Sequence, residues 1–141
     1  MRTAACLGIA LDLIEPAGFD ASDRNLRRAG LDYLAHLHLR RHASFAAFDA
    51  WRRENGCRLV LATTGAAHPY TDFAFAQGDV VMVGRESAGV PAEVHGSADA
   101  RLRVPLRPGM RSLNVAVAAA MILGEALRQL GTGAGAYEPS R

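Results

Sequence analysis

Short apolar runs alternate with helix-like segments along this chain, and several runs end in polar loops. We expect strands at residues 9–14, 36–39, 58–62, 79–84 and 101–106, and helices at 22–28, 44–55 and 113–130. The apolar runs are nearly continuous, which is typical of parallel strands buried on both faces. Strands that alternate with helices form a sheet with helices on both sides. The sequence therefore predicts an α/β fold with a mostly parallel sheet.

The length of 141 residues, half of them hydrophobic, predicts a single domain with one core over residues 1–130. The glycine-rich residues 131–141 are expected to form a flexible tail. No apolar run has the length of a membrane span, and the first residues do not resemble a signal peptide. Cys6 and Cys57 are too few for a disulfide framework and are not spaced as metal ligands. These features predict a cytoplasmic protein without a metal.

All sixteen basic residues are arginine, and their distribution is uneven. Seven of them lie between residues 21 and 53, against three acidic residues in the same stretch. Two interpretations are open for this stretch. It forms a surface that faces the phosphates of a nucleic acid, or it is an ordinary solvated face.

The polar loops at residues 62–65, 83–89 and 106–112 are candidates for a ligand site. Gly84 and Gly89 have the glycine spacing of a phosphate-binding loop, but Val90 and Pro91 stand where Lys and Ser or Thr are required. The chain also lacks a G-x-G-x-x-G motif after a strand. A nucleoside triphosphate or NAD is therefore disfavoured. Loops with few charges suit an adenosine-type ligand held by main-chain groups.

Two of these loops carry recognisable motifs. Residues 84–91 read G-R-E-S-A-G-V-P, and residues 104–115 read V-P-L-R-P-G-M-R-S-L-N-V ahead of an alanine-rich helix. They resemble the second and third motifs of the SPOUT superfamily, the trefoil-knotted RNA methyltransferases that use S-adenosylmethionine. Residues 14–19, 26–33 and 62–64 resemble the branch that methylates the ribose 2′-hydroxyl of the tRNA wobble nucleotide, a cytidine or uridine. The resemblance extends from Arg2 to about residue 130.

The resemblance implies a C-terminal trefoil knot and a homodimer packed through the knot and the last helix. It places S-adenosylmethionine, the methyl donor, against Ala62, Gly84, Val104 and Ser112, mostly through backbone groups. The partner it implies is tRNA. Arg27, Arg28 and Arg111 are the residues we expect to bind it.

The catalytic residues implied by the resemblance are Arg2, Glu86, Ser112 and Asn114. A guanidinium stays protonated in proteins, so we assign Arg2 an electrostatic role toward a phosphate or the developing alkoxide rather than that of a base. Glu86 is expected to orient loop amides, Asn114 or the substrate ribose. Ser112 is also expected to cap the helix at residue 113. Asn114 in the first turn of an apolar helix suggests a polar role.

Relatives with these motifs carry a first strand and an asparagine-rich turn ahead of the position of Arg2. The resemblance thus implies that the first strand and most of the first motif are absent here, through a late start codon or a true loss. Three functions stay open: a tRNA 2′-O-methyltransferase, a catalytically impaired relative that binds RNA or dimerises, and a methyltransferase of a different RNA.

Overall fold

A computed structural model describes residues 1–17, 35–85 and 88–131 of the chain. The predicted helix at 22–28, most of the tail, Glu86, Arg27 and Arg28 lie outside these residues. The chain forms two compact units, residues 1–51 and residues 52–141, and each is described by itself.

The first unit contains a two-stranded parallel sheet. Helix α1 (Arg2–Leu7) precedes strand β1 (Leu11–Ile14), which pairs with strand β2 (Leu39–His42). The strand predicted at residues 36–39 is therefore misplaced and overlaps the real one at Leu39 alone. Helix α1 was not predicted, because its six residues are too few to show a helical period.

A buried histidine organises this small sheet. His42 is only 6% exposed, and its Nε2 lies 2.7 Å from Oδ1 of Asp12 on β1. Its ring contacts Phe48 and Trp51 of helix α2 (Phe45–Glu54), which begins in this unit. The predicted helix at 44–55 is confirmed to within one residue at each end. Ser44 caps it, because its Oγ accepts a hydrogen bond of 3.2 Å from the backbone N–H of Ala47.

The second unit is a four-stranded parallel sheet. Its strands are β3 (Arg58–Ala62), β4 (His68–Pro69), β5 (Asp79–Val83) and β6 (Ala100–Arg103), in the order β4-β6-β3-β5. Leu59, Val60 and Leu61 are fully buried, so β3 is covered on both faces. The prediction of an α/β fold with parallel strands is confirmed, and β3 has the predicted bounds.

Two helices belong to the second unit: α3 (Ala92–Ser97) and α4 (Val115–Leu130). Ile122 and Ala126 of α4 form one buried cluster with Val60, Phe75 and Leu102. The alternating burial of β6 explains the contact, since Leu102 is buried while its neighbours on either side are exposed. The helix is two residues shorter at its start than predicted. In the parts of the chain that the structure describes, no helix is long and apolar enough to cross a membrane.

Ion pairs tie the sheet together at its amino end. The guanidinium of Arg52 is buried, at 2.7 Å from Oδ2 of Asp99, and the same oxygen accepts a 2.7 Å hydrogen bond from the N–H of Leu59. Arg58 makes two 2.7 Å hydrogen bonds to the carboxylate of Asp79 on the adjacent strand. That contact raises the pKa of Arg58. These bonds hold β3, β5 and β6 in register.

Candidate functional site

Three predicted donor-binding positions lie together at the carboxyl edge of the sheet. Ala62 is the last residue of β3, Gly84 follows β5 and Val104 follows β6. Strand β3 lies between the other two strands, and Ala62 is paired in register with Val83 and Leu102. Because neighbouring strands are about 4.8 Å apart, the ends of these three strands span roughly 10 Å of this edge. Ligands of open α/β sheets bind at this edge.

The loop after β5 is held closed by its own backbone. The N–H of Arg85 donates to the carbonyl of Gly89 at 3.0 Å, and the N–H of Gly89 donates to the carbonyl of Arg85 at 2.8 Å. A Cβ placed on Gly84 would lie 2.6 Å from the carbonyl carbon of Gly89. Gly89 itself has a φ of 65°, in the left-handed region. The backbone therefore favours glycine at both positions, at Gly84 because of the close approach and at Gly89 because of its positive φ. The spacing of the two glycines in the motif was the sequence signal for both.

The connection from β6 to α4 carries the other predicted residues. Arg111, Ser112 and Asn114 are all exposed in it. Asn114 is the N-cap of α4, with Oδ1 accepting hydrogen bonds from the N–H groups of Ala116 at 2.9 Å and Val117 at 3.4 Å. The prediction that Ser112 caps this helix is wrong. The cap lies two residues later because asparagine is an equally good N-cap, and the helix starts after it.

Arg2 is the first residue of α1 in the first unit and is exposed. Its role stays a prediction, as do those of Glu86, Arg27 and Arg28, which lie outside the described residues.

The proposed basic surface between residues 21 and 53 is weaker than its arginine count suggests. Arg40 lies 3.1 Å from Asp12 and Arg41 lies 3.4 Å from Glu15, so acids from outside this stretch oppose both charges. Arg52 is 4% exposed and belongs to the second unit. The sequence count missed this neutralisation because Asp12 lies on β1 and Glu15 directly follows it, 28 and 26 residues away from the arginines that they oppose.

A second arginine-containing stretch, outside residues 21–53, was not predicted as a cationic surface. Residues 100–124 hold four arginines and no acidic residue. Apart from Arg111, none of these arginines was predicted to bind a ligand. No group of three or more His, Cys, Asp or Glu residues is placed to hold a metal within residues 1–17, 35–85 and 88–131.

The far end of α4 is fixed to the segment after the 3-10 turn (Tyr70–Asp72). The side-chain amide of Gln129 accepts from the N–H of Phe75 at 2.9 Å and donates to the carbonyl of Phe73 at 3.0 Å. Hydrogen bonds from Arg128 and Gln129 lower the pKa of Glu125 to about 2. This polar cluster stabilises the helix that frames the site.

Known proteins resemble this chain over most of its length. The family model described as SpoU rRNA Methylase family matches residues 1–124. A tRNA (cytidine(34)-2′-O)-methyltransferase from Beijerinckia indica subsp. indica is 64% identical over 131 residues, covering 93% of this chain and 82% of the relative. A solved structure from work on the 2-OH methylation of C/U34 on tRNA has a TM-score of 0.83 and 42% identity, covering 92% of this chain and 84% of the other.

One further solved structure contains a ligand. It is the SpoU methyltransferase AviRb from Streptomyces viridochromogenes in complex with the cofactor AdoMet. Its TM-score is 0.79 and its identity 29%, over 94% of this chain and 54% of the other. The family match over residues 1–124 and the 64% identity to the Beijerinckia relative agree with the motifs at both loops. The chain therefore belongs to the SpoU rRNA methylase family.

Proposed function

We propose that this protein transfers a methyl group from S-adenosylmethionine to the ribose 2′-hydroxyl of the tRNA wobble nucleotide, a cytidine or uridine. The observation that carries the proposal is the 64% identity to a tRNA (cytidine(34)-2′-O)-methyltransferase over 93% of this chain. The solved structure from work on C/U34 of tRNA supports the same substrate. The family description names rRNA, so rRNA is the competing substrate in the test below.

The donor site is proposed at the carboxyl edge formed by Ala62, Gly84 and Val104, with Ser112 in the adjoining connection. The close approach of Gly84 to Gly89 supports this placement, because the two backbone segments pack against each other at the strand end with no room for a side chain between them. S-adenosylmethionine supplies an electrophilic methyl group when it is bound. The backbone groups of these loops fit an uncharged adenosine, which needs donors and acceptors rather than a counter-ion.

The ribose 2′-hydroxyl is a poor nucleophile, so the protein has to align it with the methyl group of the donor. As the bond between the 2′-oxygen and the methyl carbon forms, the sulfur–carbon bond breaks and the hydroxyl loses its proton to a base or to water. Alignment in line accounts for much of the acceleration in such a displacement. Arg2, as a permanent cation, stabilises the negative charge that develops on the oxygen. Glu86 orients the ribose, and Asn114 offers its Nδ2 as a donor, since the cap uses only its Oδ1.

The proposed assembly is a homodimer of single-domain chains in the cytoplasm, each with its domain over residues 1–130 and its C-terminal trefoil knot. Support for the dimer comes from α4 and the residue before its cap. Leu113, Val117 and Met121 lie four residues apart and are 39%, 50% and 39% exposed. Apolar side chains in such a row are expected to be covered by a second copy of the chain.

The test uses the full chain, tritiated S-adenosylmethionine and unmodified tRNA that carries cytidine at position 34. We expect donor binding by calorimetry and transfer of label to this tRNA. Two matched substrates are the same tRNA with a single 2′-deoxycytidine at position 34, which lacks the acceptor, and a fragment of rRNA. Label on the deoxy-substituted tRNA, or on rRNA alone, contradicts the proposal. Donor binding without transfer to any RNA favours the catalytically impaired relative.

A further inference from the structure

Strand β6 and the connection from it to α4 carry a concentration of positive charge. Residues 100–124 contain four arginines without an acidic residue. The guanidinium of Arg101 bonds to the backbone carbonyl of His95, which leaves its charge uncancelled. Arg103, Arg107 and Arg111 are exposed and make no ion pair with any residue that the structure describes.

Other arginines of the chain contrast with these. Among the residues that the structure describes, those with a carboxylate within 3.4 Å include Arg40, Arg41, Arg52, Arg58 and Arg128. Their charges serve the fold or are cancelled at the surface. Arginines that lie close together without opposing acids repel one another, and an anionic partner relieves that repulsion. The connection is therefore the better candidate for a polyanion than the stretch at residues 21–53.

The position of the three arginines matches the edge where the reaction is proposed. Arg103 is the last residue of β6, and Val104 of the donor edge follows it directly. Arg107 and Arg111 come at steps of four residues along a connection whose length per residue is at most about 3.6 Å. Each step therefore covers no more than roughly 14 Å, so the backbone of Arg107 lies within that distance of Arg103, and the backbone of Arg111 lies within roughly 29 Å of it.

We propose that Arg103 and Arg107 bind backbone phosphates of the tRNA together with Arg111, and so hold the wobble ribose at the donor edge. The proposal rests on the proposed function, since it takes tRNA as the polyanion. A guanidinium binds phosphate oxygens through two parallel N–H donors, and such contacts fix the register of the nucleic acid without reading its bases. Arg103 and Arg107 are positioning residues in this account, and they touch neither the donor nor the 2′-oxygen.

The test measures tRNA binding across salt concentrations for the Arg103→Ala/Arg107→Ala variant. Each phosphate contact contributes about 0.7 to 0.9 to the slope of log Kd against log salt, so two lost contacts lower the slope by about 1.4 to 1.8. At ~0.1 M salt this corresponds to binding weaker by about 25- to 60-fold. Affinity for S-adenosylmethionine stays within twofold, KM for tRNA rises, and kcat at saturating tRNA is kept.

The matched control is Arg41→Ala/Arg128→Ala, which removes two exposed arginines that carboxylates already oppose. It changes the net charge by the same amount and is expected to keep the wild-type slope. The charge-preserving Arg103→Lys/Arg107→Lys variant is expected to keep most of the slope as well. If the alanine variant fails to fold, the lysine variant still shows how tRNA binding depends on these two positions when the positive charge is kept.

An unchanged slope in Arg103→Ala/Arg107→Ala overturns the proposal, as does an equal fall in the control. A loss of donor affinity as large as the loss of tRNA affinity also overturns it, because the connection would then serve the donor site. A dimer that dissociates while tRNA binding is kept assigns these arginines to a protein contact instead. The salt slope is a binding measurement, so it stays informative even if the wild-type chain transfers no methyl group.

Discussion

Replacing Gly84 by alanine should damage the donor site by opening its loop. The added Cβ would lie 2.6 Å from the carbonyl carbon, 2.8 Å from the carbonyl oxygen and 2.9 Å from the Cα of Gly89. All three are backbone atoms, so no side chain can turn away to relieve the contact. The backbone at Gly84 or Gly89 must therefore shift, and the two hydrogen bonds of 3.0 Å and 2.8 Å between Arg85 and Gly89 are strained or lost.

The size of the effect follows from those contacts. Two hydrogen bonds at about 0.5 to 1.5 kcal/mol each, or the strain of overpacking, give a destabilisation of about 1 to 3 kcal/mol. Donor binding depends on the same backbone and should weaken at least about tenfold, equal to about 1.4 kcal/mol. Chemical denaturation measures the first quantity and calorimetry with S-adenosylmethionine the second.

The control for this experiment is Gly96→Ala in α3, where an added Cβ meets no atom within 4 Å. Alanine inside a helix is favoured over glycine by about 0.5 to 1 kcal/mol, so this variant should be as stable as the wild type or slightly more stable. If Gly84→Ala behaves like Gly96→Ala in both assays, the close approach of the two glycines does not shape the donor site and the reasoning fails.

Three further outcomes are expected. Asn114→Ala removes the cap of α4 and should lower the free energy of unfolding by about 0.5 to 2 kcal/mol, while Asn114→Asp should restore it; equal stability of both variants would contradict the cap. Asp99→Ala removes the carboxylate that lies 2.7 Å from the buried guanidinium of Arg52 and should lower the free energy of unfolding by about 1 to 3 kcal/mol, so a change below the error of a denaturant-unfolding measurement would count against this contact. The pKa of Glu125 falls from 4.5 to about 2 in the fold, so its stabilisation is complete above pH 4.5 and is lost as the pH falls toward 2. Arg128→Ala should flatten the acid side of the stability profile, and an unchanged acid limb would show that the pair contributes nothing there.

The sequence was sufficient for the parts of the fold that a local pattern determines. The apolar run of β3 predicted its bounds and its burial, because a strand covered on both faces is apolar at its central positions, here Leu59, Val60 and Leu61. The aromatic spacing of α2 predicted that helix in the same way. Short elements escaped prediction, since α3 and β4 hold too few residues to show a period.

The polar loops at the strand ends could be proposed as a ligand site because parallel strands place their carboxyl ends side by side, and the resemblance to the SPOUT superfamily then implied Ala62, Gly84 and Val104 as donor contacts. The ion pairs between arginines and acids on different strands could not be predicted from strand ends or motifs. Asp12 opposes Arg40 only because β1 and β2 pair in one particular register, and the sequence does not contain that register. The cap of α4 was missed by two residues because Ser112 and Asn114 are both good N-caps, and only the backbone decides between them.

We propose that the methyl group goes to one 2′-oxygen, that of nucleotide 34. Alkaline hydrolysis of RNA proceeds by attack of the 2′-oxygen on the adjacent phosphate, so a methylated 2′-oxygen blocks cleavage after its own nucleotide. Unmodified tRNA is incubated with the protein and S-adenosylmethionine, end-labelled, hydrolysed in alkali and resolved at single-nucleotide spacing. We expect one gap in the ladder, after nucleotide 34. A complete ladder, or a gap at any other position, would contradict it.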